Sequence, residues 1–107
     1  MLDLFYVYTI IMKIYTWDET KRKINLAKHG LDFADADEVL SSPYRFDVEV
    51  IRNNEFRIQS FAYSFGRLLV LSLAYTERED YIRVISFRRA SKAEREAYYE
   101  YLQQYFE

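Results

Sequence analysis

The sequence predicts an α+β fold: two short N-terminal helices, an antiparallel sheet of about four strands and a C-terminal helix, stacked as two layers. Through residues 18–40, apolar side chains recur at helical spacing and capping residues stand at the ends. Residues 45–88 switch to a two-residue alternation broken by short turns. Parallel strands need crossovers of about a dozen residues, so these turns indicate an antiparallel meander. Residues 91–106 return to the helical period behind a capping signature. At 107 residues, 50% apolar and 30% charged, the chain has the material for one domain with a real core.

Residues 4–12, LFYVYTIIM, form an apolar run too short for a bilayer, whose crossing takes about 20 residues. Asp3 stands where a secretory signal would carry positive charge. The run reads either as an additional edge strand, given its Tyr, Val, Thr and Ile content, or as upstream sequence before a natural start at Met12. Residues 1–11 are therefore set apart from a single domain over residues 12–107.

Residues 13–17 suit a short strand, and Asp18 is placed to cap the helix that follows. Ile24, Ala27 and Leu31 form its packing stripe, and Gly30 supplies a left-handed stop. Asp32 caps a second short helix with Phe33, Ala36, Val39 and Leu40 inward, ended by Pro43. Phe46, Val48 and Val50 alternate with charged residues, as a half-buried strand requires. Asn53 and Asn54 turn the chain into residues 55–63, with Phe56, Ile58 and Ala62 on one face. Gly66 marks the next turn, residues 68–75 a central strand and residues 81–88 the last. Ser91 and Glu94 form a reciprocal capping box. Beyond it Ala93, Ala97 and Tyr101 make one packing row, and Tyr98, Leu102 and Phe106 its neighbour. Tyrosines at 98, 99, 101 and 105 exceed what one packing face needs; they serve either as cover over the sheet or as a partner-binding surface.

The absence of cysteine excludes disulfides, thiol catalysis and thiolate metal sites, and one histidine, His29, cannot build a multi-histidine zinc site. Asp35, Asp37 and Glu38 lie close in sequence, but their helical angles do not converge, so neither a metal nor a cofactor is expected. A net charge of -2 argues against a broad electrostatic footprint on nucleic acid. The distribution says more. Residues 13–30 carry five positive and two negative side chains, and residues 31–40 four negative and none positive. Residues 78–95 carry six positive and three negative, and residues 96–107 three negative and none positive. Two basic segments, each followed by an acidic one, read either as solvated surface or as a local phosphate-binding face.

His29 falls beside the end of the first helix, where the backbone dipole favours imidazolium. It either donates a proton to a departing ribose oxygen, stabilises phosphate charge, or simply bonds a terminal helix carbonyl. Alternation puts Ser86 and Arg88 on one face of their strand and Arg83, Ile85 and Phe87 on the other, unless a bulge intervenes. Thr76 shares parity with Arg78 if its strand continues through Glu77, and Arg57, Gln59 and Phe61 share a face. In a meander these side chains converge into a basic, hydroxyl-bearing patch whose guanidinium forks match phosphate; otherwise the arginines pair with nearby acids. Such a patch suits RNA, whose 2′-hydroxyl can attack the adjacent phosphate while the protein aligns the groups and neutralises charge. DNA lacks that internal nucleophile.

Two motif blocks complete the reading. The first is Trp17-Asp18-Glu19-Thr20-Lys21, continuing through Asn25, Lys28-His29-Gly30-Leu31 and Phe33. The second is Thr76-Glu77-Arg78, then Arg83-Val84-Ile85-Ser86-Phe87-Arg88-Arg89-Ala90, with Glu94-Arg95 and Tyr98. In combination and order they resemble the BrnT-type toxins of BrnT/BrnA type II toxin–antitoxin systems. The resemblance implies a RelE-like ribonuclease fold and a cytoplasmic, metal-independent RNA endonuclease that inhibits translation, acting on free or ribosome-associated RNA. It implies neutralisation by a BrnA-like ribbon-helix-helix antitoxin, with operator DNA met only through that complex and no membrane involved. A noncatalytic antitoxin-binding and co-regulatory subunit is the alternative. Carried onto this sequence, the family pattern puts functional weight on Lys21, His29, Arg57, Thr76, Arg78, Ser86 and Arg88; catalysis is then expected of His29, Arg57, Arg78 and Arg88, and RNA binding of Lys21, Lys28, Thr76 and Ser86. The net charge of -2 departs from the more basic character of such toxins.

Overall fold

The computed structural model describes residues 14–106; the expectations for residues 1–11 and for Met12 as a start lie outside the described residues. In chain order the elements are β1 (Tyr15–Thr16), α1 (Glu19–His29), a 3₁₀ turn (Phe33–Asp35) and α2 (Asp37–Leu40). There follow β2 (Phe46–Arg52), β3 (Glu55–Ser64), β4 (Leu69–Glu77), β5 (Ile82–Arg89) and α3 (Lys92–Phe106). The α+β class holds, but the sheet is mixed and five-stranded, in the order β1-β5-β4-β3-β2. β2 to β5 form the antiparallel meander. β1 is added parallel to β5, Tyr15 opposite Ile82 and Thr16 opposite Arg83. All the intervening elements serve as its crossover, which is why short turns gave no hint of it.

Asp18 caps α1 by accepting the Lys21 N–H at 3.1 Å, and Gly30 ends it at φ 71°, its N–H bonded to Leu26 O at 2.8 Å. The helix does not bury the stripe its spacing predicts. Ile24 is 61% exposed and Ala27 is exposed, whereas Asn25 is buried. The reason is where α1 docks: against the outer edge of β5, with no apolar face to cover. Asn25 Nδ2 donates to Phe87 O at 2.7 Å and Leu31 O at 3.0 Å, and its Oδ1 accepts the Phe87 N–H at 3.1 Å. One side-chain amide thus supplies what a neighbouring strand would, closing the edge beyond the point where β1 stops.

Asp32 caps as expected, accepting the Ala34 N–H at 2.9 Å, but the second helix divides into the 3₁₀ turn and the single turn of α2. Its inward residues Phe33, Ala36 and Val39 are fully buried. They lie three apart, a spacing that eclipses side chains in a 3₁₀ helix and so favours that geometry over a regular α-helix. They pack with Leu71, Leu73, Tyr75, Val84 and Phe87 on one face of the sheet. Asn53 and Asn54 take positive φ, 53° and 60°, as a two-residue hairpin turn requires. At the Gly66 turn the left-handed residue is Leu68, φ 58°.

Val70 of β4 alternates with Leu71 and joins a second cluster, with Phe61, Ala90 and Tyr98. The sheet therefore carries helices on both faces, and the two-layer expectation is corrected to helix, sheet, helix. The capping box is present: the Ser91 N–H donates to Glu94 at 2.8 Å, and the Glu94 N–H to Ser91 Oγ at 3.2 Å. Tyr98 is fully buried, its hydroxyl accepting the Tyr63 N–H at 3.1 Å, and Tyr101 stacks on Phe46 with centroids 4.4 Å apart. Ala93 and Ala97 are exposed and Phe106 is half exposed, so of the two predicted rows Tyr98, Leu102 and Tyr101 pack.

Candidate functional site

The second cluster occupies only part of its sheet face. Residues directly opposite on neighbouring strands share a face, so the register orders this one into rows. Beneath α3 lie Tyr63 and Val70, and next to them Phe46, Phe61, Ser72 and Arg88. The following row is Val48, Gln59, Ala74 and Ser86. In the last, Val50 faces Arg57 and Thr76 faces Arg83. Arg57 falls level with Thr76 one step past the Ile58–Tyr75 pair.

The structure thus brings Arg57, Thr76, Ser86 and Arg88 onto one face. It adds Arg83, which strict alternation had placed on the other. Ala74 pairs with Ser86 but Tyr75 with Val84, leaving Ile85 as the extra residue of a bulge that reverses parity. The signal was present in the apolar spacing: Ile82 and Val84 point inward two apart, but the next inward residue is Phe87, three further on. Arg78 lies just past β4 in the turn to β5, its N–H bonded to Tyr81 O at 2.9 Å. Among the described residues, neither the Arg78 nor the Arg83 side chain has a partner, and both are exposed.

Arg57 and Arg88 are differently placed. Arg57 Nε lies 2.9 Å from Glu55 Oε1. Arg88 grips Glu94 with both ends of its fork, at 2.7 and 2.9 Å, and Gln59 Nε2 donates to the same carboxylate at 3.1 Å and to Ser72 Oγ at 3.0 Å. The hydrogen-bonded Arg88 guanidinium holds the Glu94 carboxyl down to about 2, from an ordinary 4.5, and Glu94 in turn raises Arg88. Two of the three expected phosphate-binding arginines are therefore partly neutralised in the free protein. Thr76 is 4% exposed and its hydroxyl finds no hydrogen-bond partner among the described residues, a burial that costs about 1–3 kcal/mol.

Lys21, Lys28 and His29 do not lie on the sheet face. They line a cleft of about 230 Å³ between α1 and β5, together with Ile24, Asn25 and Ile85. His29 is exposed, and its pKa is lowered from 6.5 by desolvation and then by the charges of Lys28 and Arg88. Desolvation, followed by the charges of Lys28 and Arg88, thus opposes the imidazolium expected from the helix terminus. Ile85 of the cleft and Ser86 and Arg88 of the cationic rows lie on β5, the strand that stands between the two.

The acids of residues 31–40 are dispersed: Asp35 and Glu38 engage Arg67 at 3.5 and 2.9 Å, and Asp37 accepts the Tyr15 hydroxyl at 2.8 Å. Around α3 lies a surface of another kind, an apolar groove of about 520 Å³ lined by Tyr44, Tyr63, Phe65, Tyr99, Leu102 and Phe106. Of the surplus tyrosines, Tyr98 is buried as cover over the sheet and, with exposed Tyr99, also lines the groove. No helix among the described residues is long and apolar enough to cross a membrane. Residues 17–94 match the family model described as ribonuclease toxin, BrnT, of type II toxin–antitoxin system. No curated protein matches the chain.

Proposed function

Because the chain belongs to the BrnT ribonuclease toxin family of type II toxin–antitoxin systems, a membership that implies a cognate antitoxin, we propose that it is a RelE-like, metal-independent RNA endonuclease of the cytoplasm, held in check by a BrnA-like partner. The observation that carries this reading is the row pattern: Arg57, Thr76, Ser86 and Arg88, distributed over three strands, share one sheet face. Arg57, Arg78 and Arg88 position the scissile phosphate and offset the charge that builds on it. Neutral His29 accepts the 2′-hydroxyl proton as that oxygen attacks phosphorus. The bond to the 5′-oxygen breaks, the leaving oxygen takes a proton from water, and the products are a 2′,3′-cyclic phosphate and a 5′-hydroxyl. Lys21 and Lys28 hold flanking phosphates, and Ser86 orients an oxygen. Thr76, covered in the free protein, donates once bound RNA has drawn the neighbouring side chains aside.

A second reading, the noncatalytic antitoxin-binding and co-regulatory subunit, draws on the ion pairs that engage Arg57 and Arg88. Purified protein incubated with RNA and with ribosomes, free of divalent metal, separates the two. Cleavage that is abolished in Arg78→Ala and Arg88→Ala, with the circular dichroism of the fold retained, supports the endonuclease. Intact RNA in both settings, with tight binding to a ribbon-helix-helix protein encoded next to this gene, establishes the second reading instead.

A further inference from the structure

The bulge that turns Arg83 toward the open sheet face leaves Ile85 without a partner on β4, and Ile85 lies in the cleft of Lys21, Lys28 and His29. Ile24, 61% exposed on a helix whose docking is done by Asn25, lies there too. We propose that this cleft is a subsite for one unpaired nucleobase of RNA, whose adjoining phosphate rests on the rows of Arg83 and Arg88. The proposal rests on the endonuclease reading and adds to it the part of the substrate that the arginines do not touch.

Exposed Ile24 and half-buried Ile85 present apolar surface in the cleft that a flat, weakly hydrated ring would cover. The rim carries the side chains a nucleotide needs around that ring: two lysines for its phosphates and an imidazole able to stack or hydrogen-bond. Asn25 is already committed to the backbone of Leu31 and Phe87, so the wall is rigid and the lysines and His29 carry the remaining polar contacts. At about 230 Å³ the cleft is smaller than the roughly 300–1,000 Å³ of drug-sized sites, which suits a single base and no larger folded element. Ile85 in the cleft and Ser86 and Arg88 on the sheet face belong to the same strand, so only β5 stands between a base in the cleft and a phosphate on the cationic rows.

The test measures affinity of the full chain for a single-stranded oligoribonucleotide and for inorganic polyphosphate, a polyanion without bases, over a range of salt. Ile24→Ser and Ile85→Ser each weaken RNA binding roughly five- to tenfold, the worth of one lost aliphatic contact, with the salt slope and polyphosphate binding unchanged. Lys28→Gln weakens both ligands and flattens the slope. RNA binding unchanged in both isoleucine variants, or RNA and polyphosphate falling together, overturns the subsite and leaves the endonuclease standing if the wild type still cleaves. A wild-type protein that binds neither polyanion removes both.

Discussion

Two halves of one sheet face meet in this domain. At the Tyr63 and Val70 end the strands are roofed by α3 and fastened by aromatic packing, with Tyr98 sealed inside. At the Thr76 end the same strands are arginine-rich and hold a buried hydroxyl with no hydrogen-bond partner among the described residues. The β3–β4 ladder runs on between them while the β4–β5 ladder is broken by the Ile85 bulge, so the contrast belongs to side chains, to that bulge and to the short reach of α3. One half supplies stability; the other holds like charges and a buried polar group that cost stability, a disposition usual in surfaces kept for binding.

Substitutions on either side of the boundary should therefore separate folding from activity. Tyr98→Ala opens a cavity under α3 and exposes a hydrogen-bonding gap at Tyr63, so urea denaturation should show a loss of about 3–5 kcal/mol. His29→Ala, on the functional side, should leave the midpoint nearly unchanged and slow RNA cleavage about a hundredfold, the usual worth of a general base. Wild-type cleavage should rise with pH through a value below 6.5, because the base acts when deprotonated, and that acid limb should vanish in the variant. A wild-type rate that falls over the same range would make His29 an acid.

Some of this contrast was legible in the sequence. Asp18, Gly30, Asn53 with Asn54, and Ser91 with Glu94 act within a few residues of themselves, and each took its expected conformation. Asn25 and Ile24 exchanged roles because burial on α1 is decided by the edge of β5, far along the chain. Arg83 changed face because parity depends on register, which one inserted residue reverses. The His29 pKa is pushed down, against the direction expected of a helix terminus, first by desolvation and then by Lys28 and Arg88, the last a neighbour in space alone. Strand alternation placed Arg57, Thr76, Ser86 and Arg88 on one face, whereas the separate cleft of Lys21, Lys28 and His29 required the geometry.

Two smaller effects sharpen the comparison. Thr76→Val replaces an unsatisfied hydroxyl with a methyl of the same shape and should raise stability by about 1 kcal/mol in thermal or chemical melts, while reducing cleavage. Equal stability would mean that the hydroxyl is satisfied in solution. The smallest effect concerns acid. Glu94 has a folded pKa near 2 against an ordinary 4.5, so its contribution is full above 4.5 and is lost as pH falls toward 2. Glu94→Gln keeps the capping geometry and should flatten that part of the stability–pH curve, at the same time strengthening RNA binding by releasing Arg88.

Glu94 stands on the border, fastening the first turn of α3 with one set of bonds and Arg88 with another. A single carboxylate serving two masters makes them reciprocal. An anion that lures Arg88 away alters the footing of the roof helix, and a ligand that stiffens that footing alters Arg88's availability by the same coupling free energy. Occupancy at either end of the sheet is thereby audible at the other, without any strand having to move.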